Sequence, residues 1–138
     1  MANYRVESST TAIASGDLSA YQYHVVGLNA SGETVVYDGA EAANPSAPLG
    51  VQQDAPDAQG KASLVQKGGI AKVLVGTAGV TAGKEVQVGT GVDAGKVEDF
   101  SPPSAGNSKW ILGTALQTRS DGEYVEVEMN ISRADNNA

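Results

Sequence analysis

From residue 124 to 131 the side chains alternate without a break. Val125, Val127, Met129 and Ile131 fall on one side, and Tyr124, Glu126, Glu128 and Asn130 on the other. A period of two belongs to a strand with one dry face and is incompatible with a helix. Shorter runs of the same kind cover residues 21–28, 34–37, 49–51, 62–65 and 69–76. Turn chemistry stands between them, as in Asn29-Ala30-Ser31-Gly32, Asp38-Gly39 and Asp121-Gly122. Helical periodicity is nearly absent, and 17 glycines punctuate the chain. The pattern predicts an all-β domain, mainly strand with at most one or two short helical turns, expected around Glu41 and near Asn107. The expected architecture is a compact β-sandwich or a partly closed barrel.

Two stretches read as copies of one unit. Residues 14–39 and 81–100 each open on a small residue and glycine (Ser15-Gly16, Ala82-Gly83) and pass through a Val-Gly pair (Val26-Gly27, Val88-Gly89). Each then ends in a glycine turn and a short strand, at Gly32 to Val35 and at Gly95 to Val97. The segments downstream of both stretches also recur. Leu49-Gly50-Val51, a turn at Gly60 and Ala62-Ser63-Leu64-Val65 are matched by Leu112-Gly113-Thr114, a turn at Gly122 and Tyr124-Val125-Glu126-Val127. We therefore expect a single domain over residues 12–132 with two degenerate repeats, about 14–70 and 81–131. Residues 1–11 are expected to form an N-terminal arm and residues 133–138 a loose C-terminal tail. In the arm, Tyr4 and Val6 alternate with Asn3, Arg5 and Glu7, a pattern suited to joining a partner's sheet as an added strand.

Several functions are disfavoured. The net charge of −7 opposes nucleic acid and anionic membrane surfaces, which are gripped by Lys and Arg. No run approaches the ~18 apolar residues of a membrane span. The first residues lack the apolar core of a secretion signal, which predicts synthesis in a cytoplasm. Without cysteine there is neither disulfide nor thiol chemistry. The sole histidine, His24, reads as a half-exposed strand residue with no acid and nucleophile to complete a triad. Gly89-Thr90-Gly91-Val92-Asp93-Ala94 matches a dinucleotide fingerprint in letters only, because the residues after it form another turn and strand instead of a helix. The carboxylates near Asp54, Glu98 and Glu126 fit no calcium-loop spacing. The expectation is a protein without cofactor, metal or catalytic set, and not an enzyme.

The order of motifs resembles the small capsid decoration (cement) proteins of tailed bacteriophages. The residues that carry the likeness are Ser15-Gly16-Asp17-Leu18, Leu49-Gly50-Val51, Thr81-Ala82-Gly83, Ile111-Leu112-Gly113-Thr114-Ala115-Leu116 and the closing residues 122–127. The resemblance implies a structural virion protein on the outer surface of the expanded capsid. It would clamp neighbouring subunits of the major capsid protein, as a homo-trimer at local three-fold positions. Candidate capsid contacts are Asn3, Tyr4, Arg5 and Val6 of the arm. Trp110 is a further candidate, since tryptophan is enriched at binding hot spots. The competing reading is a non-catalytic carbohydrate-binding or adhesive β module of a phage tail or bacterial surface.

Overall fold

The computed structural model describes residues 9–137. They form ten strands: β1 (Ser9–Ala14), β2 (Val25–Leu28), β3 (Glu33–Val36), β4 (Gly50–Gln52), β5 (Ala62–Gln66), β6 (Ile70–Leu74), β7 (Glu85–Val88), β8 (Val97–Asp99), β9 (Ser108–Ala115) and β10 (Tyr124–Asp135). The fold is all-β. Strands β1 to β5 close a barrel in the order β1-β3-β2-β4-β5, and β6 to β10 form a second sheet in the order β6-β10-β9-β7-β8.

Traced around from its first strand, each half visits its own first, fifth, fourth, second and third strands. In the first half, β1 and β3 close the ring in parallel at Ile13–Glu33 and Ala14–Thr34. The second half makes the equivalent closure through one parallel bridge, Val75–Val97. The registers agree strand by strand. Ile13 pairs with Ala62 as Leu74 pairs with Tyr124, and Val26 pairs with Gly50 as Val86 pairs with Gly113. Gln52 pairs with Val65 as Ala115 pairs with Val127. The turns agree too. Gly60 N–H donates to Ala14 O and Gly122 N–H to Val75 O, both at 3.0 Å. The halves are therefore two copies of one five-stranded unit, over residues 9–66 and 70–135.

Six core positions of the first unit are Ala14, Val26, Thr34, Gln52, Ser63 and Val65. Their counterparts are Val75, Val86, Val97, Ala115, Val125 and Val127, and none of the twelve is more than 1% exposed. The second unit is dry at these places, while the first buries three polar side chains and satisfies them. Gln52 Nε2 donates to Leu18 O and Tyr21 O, both at 3.3 Å, and Gln52 Oε1 accepts from Ser63 Oγ at 3.0 Å. Thr34 Oγ1 donates to Ile13 O at 3.4 Å. Each bond offsets the desolvation of its donor and acceptor.

The units share one core, in which Val25, Tyr37 and Val51 of the first meet valines of the second. Backbone bonds stitch the seam: Val25 N–H to Gly95 O at 2.7 Å, Gly95 N–H to Tyr37 O at 2.8 Å and Gly39 N–H to Gly89 O at 3.0 Å. Gly39 is required there, since a Cβ would sit 1.9 Å from Val88 O.

The structure differs from the sequence expectations in several places. Strand β1 begins at Ser9, inside the segment assigned to the arm, because residues 9–13 ladder with β5. Strand β10 runs to Asp135, past the expected start of the tail, because a bulge after Met129 lets residues 132–135 pair with the start of β9. The 3-10 turns lie at Ser19–Tyr21 and Gly91–Asp93, not around Glu41 and Asn107. Ala42 instead bridges Ser108 in an isolated antiparallel pair. Residues 21–24 are not strand, because Tyr23 takes a left-handed conformation, φ 64°. The second unit also opens earlier than expected, with β6 at Ile70 instead of at residue 81.

Candidate interaction surface

Strands β6 and β10 lie side by side with Tyr124 opposite Leu74, Glu126 opposite Lys72 and Glu128 opposite Ile70. Alternation sends Val73, Val125 and Val127 into the core and leaves Ile70, Lys72, Tyr124, Glu126 and Glu128 exposed. Tyr23 of the first unit comes alongside. Its N–H donates to Gln52 O at 2.7 Å, and its carbonyl accepts from Leu74 N–H at 3.1 Å. One residue thus hooks the two units together through its backbone, and that hook holds it at positive φ. It is the only non-glycine residue so placed among the described residues. A left-handed conformation costs an L-residue about 1–2 kcal/mol.

The Tyr23 ring meets Tyr124 edge to face, with centroids 5.6 Å apart and planes at 85°. Lys72 Nζ lies 4.7 Å from the Tyr23 centroid and 4.6 Å from the Tyr124 centroid. An ammonium over aromatic faces is attracted by their quadrupoles. Glu126 stands directly opposite Lys72 but is engaged elsewhere: its Oε1 accepts from Gln117 Nε2 at 2.7 Å, and its N–H donates to Gln117 Oε1 at 2.9 Å. The two ion pairs among the described residues, Lys61–Asp57 and Arg133–Asp135, lie elsewhere. Lys72 is therefore held by two rings, with no carboxylate of the described residues on it. Ile70 and Tyr124, 54% and 44% exposed, extend the face beside it.

His24 follows Tyr23 in the chain and is buried, not half-exposed. Its ring meets Tyr21 edge to face at 5.2 Å, and Nδ1 lies 3.2 Å from Gln22 O. Burial lowers its pKa, and the nearby Lys96 charge lowers it further. No acid or nucleophile of the described residues is bonded to it.

Trp110, expected as a contact residue, is half-buried on β9. Its indole Nε1 donates to Pro45 O at 3.1 Å, fastening the connection between β3 and β4 onto the second unit. Arg133 grips the same connection, donating to Asn44 Oδ1 at 2.9 Å and Ala43 O at 3.2 Å. Glu41 accepts from Ser104 N–H at 3.0 Å and Asn107 Nδ2 at 3.2 Å, and these bonds hold its carboxyl below the usual range. Asn3, Tyr4, Arg5 and Val6 lie outside the described residues.

No group of three or more potential metal ligands occurs among the described residues. An open polar cleft of about 200 Å³ lies between the 77–81 and 119–121 loops. One of its two carboxylates, Asp99, is already used by Thr81, whose N–H and Oγ1 both donate to it at 2.8 Å. The Tyr23–Lys72–Tyr124 face has no simple sequence signature. Its three members come from a loop and two strands: the β6–β10 ladder sets Lys72 near Tyr124, and the hook at Tyr23 adds the third.

No protein-family model matches this chain, and no match was found among curated proteins. Among solved structures, the chain is similar to the N base of the head fiber gp8.5 of bacteriophage phi29. The TM-score is 0.50 at 16% identity, over 88% of this chain and 92% of that one. At that identity the likeness speaks for the fold.

Proposed function

We propose that this chain is a structural protein of a bacteriophage head that binds the outer surface of the expanded capsid and clamps neighbouring subunits of the major capsid protein. The observation that carries the reading is the fold likeness to a phage head-fiber base over nearly the full length of both chains. It agrees in class with the resemblance to capsid decoration proteins read from the motifs. The architecture suits the task. Two fused β units with a shared valine core make a rigid body, and many copies on one lattice turn modest single contacts into strong retention. Homo-trimers at local three-fold positions are the natural arrangement on such a lattice. The arm residues Asn3, Tyr4, Arg5 and Val6 are proposed to pair with a capsid strand.

The test is co-sedimentation with expanded capsids that lack this protein, beside unexpanded procapsids. Saturable binding to the expanded form alone, at a stoichiometry matching lattice positions, is the expected result. Absence of binding to both forms refutes the reading. Deleting residues 2–8, which leaves β1 intact, should abolish retention and preserve the fold, whereas unchanged binding would remove the arm from the mechanism.

A further inference from the structure

We infer that the Tyr23–Lys72–Tyr124 face is a docking surface for an acidic side chain of a protein partner, which under the proposed function is the capsid lattice. Three observations converge on it. First, Tyr23 keeps a large side chain at φ 64°, where glycine or asparagine would sit without strain. The backbone hook explains the conformation but not the phenol. Strained residues cluster at functional sites, so a strained residue that bears a polar aromatic side chain points to a use for that side chain. Second, Lys72 carries no ion pair with any described residue even though Glu126 stands directly opposite on β10. The Gln117 pairing turns that carboxylate aside, and the two rings hold the ammonium at the surface. In a chain of net charge −7 such a cation is the local complement of an anion. Third, Ile70 and Tyr124 expose apolar and aromatic surface around Lys72, with Glu126 opposite Lys72 and Glu128 opposite Ile70. Exposed aromatic residues of this kind are the usual anchors of a protein interface. A stacking sugar fits less well, because Lys72 already covers one face of each ring.

The experiment uses the full chain and expanded capsids, with binding isotherms at low and moderate salt. Lys72→Met keeps the stem over the rings and removes the charge. Tyr23→Gly removes the ring and relieves the backbone, so it folds with an unchanged or higher melting temperature. Lys84→Met, an exposed lysine on another loop, is the control. The inference expects Lys72→Met and Tyr23→Gly each to weaken binding about thirty-fold or more, the scale of an interface hot spot, with Lys84→Met near wild type. It also expects Lys72→Met to bind with a shallower salt dependence than wild type. Wild-type binding with both face variants unaffected overturns the inference and leaves the proposed function standing. Absence of binding by the wild type refutes the proposed function itself. Loss of glycan retention by the two variants with capsid binding intact would also overturn it, in favour of a carbohydrate site.

Discussion

Gly113 lies on β9 opposite Met129 of β10. A Cβ added there would lie 2.0 Å from Glu128 O, 2.9 Å from Glu128 C and 3.0 Å from Met129 Cα. All three are backbone atoms, so no rotamer change relieves the clash. An ordinary carbon contact needs about 3.5 Å, so the strands must part by roughly 1.5 Å. That breaks the two ladder bonds nearest the pair, at about 1 kcal/mol each, and opens the core beneath Leu112, for a total of about 3–5 kcal/mol. For a domain of this size such a loss lowers the melting temperature by about 10–15 °C. Gly50 occupies the same place in the first unit, with a Cβ 2.2 Å from Gln66 O and 2.9 Å from Val65 Cγ1, so Gly50→Ala should fall by a similar amount. Gly16 is the control. It has no atom within 4 Å of an added Cβ and no positive φ. Gly16→Ala should gain about 0.4–1 kcal/mol by restricting the unfolded chain. Thermal unfolding followed by circular dichroism, with urea midpoints as a second measure, decides the matter. A Gly113→Ala protein melting within about 3 °C of wild type would refute the close-approach reasoning.

The pH dependence of stability isolates His24, the sole histidine. Its folded pKa lies below the unfolded value of about 6.5, so its contribution is fully present above pH 6.5 and is lost as the pH falls from there through the folded pKa. Urea unfolding between pH 7 and 5 should show falling stability, and His24→Gln should flatten that slope; an unchanged slope assigns it to other groups. Trp110→Phe removes the indole donor to Pro45 and should cost about 1 kcal/mol, with faster amide exchange at Ala42 and Ser108 as the strap loosens. Exchange at those amides equal to wild type would show that the indole bond does not hold the strap. Gln52→Ala with Ser63→Val gives the first unit the residues of the second. The double variant should lose about 1 kcal/mol less than the sum of the singles, because Ser63 no longer has a stranded hydroxyl. Additive losses, measured by the same urea titration, would show that the two side chains act independently.

Much of the fold was legible in alternation and turn chemistry. Strand β10 stands out because Val125, Val127 and Met129 face a core while Glu126 and Glu128 face water, and its continuation to Asp135 is hidden only by the bulge. Parts of the duplication are legible as well. Gly113 corresponds to Gly50, Gly122 to Gly60 and Gly95 to Gly32, and in each pair the backbone demands the same thing of both copies. The glycine turns at 32 and 95 share a left-handed φ, and Gly50 and Gly113 share a close approach. The opening of the repeat was misaligned. Sequence likeness sets Ser15-Gly16 beside Ala82-Gly83, whereas the equivalent bonds are Ser15 N–H to Thr34 O and Gly76 N–H to Val97 O. Small residues followed by glycine suit many turns, so they hold register poorly. The Tyr23 face was not legible, because a left-handed tyrosine violates local preference and is imposed by Gln52 and Leu74 from different units.

That imposed conformation is also where the two copies cease to be equivalent. The second unit fills its core with Val75, Val86, Val97, Val125 and Val127, which need only be excluded from water. The first replaces three of the matching positions with Thr34, Gln52 and Ser63, whose bonds have direction. The most connected of them, Gln52, bonds through its side chain to the carbonyls of Leu18 and Tyr21, and through its own carbonyl to Tyr23 N–H. The polar core of the first unit therefore reaches out along residues 18–23, the segment that carries Tyr23 to the surface beside Lys72. An apolar core would leave that segment free to choose its path. The buried amide instead fixes one path, and with it the position of the strained tyrosine on a face built otherwise by the second unit. Duplication supplies the rigid frame, and the departure from it at Gln52 and Ser63 supplies a feature that two identical barrels would lack.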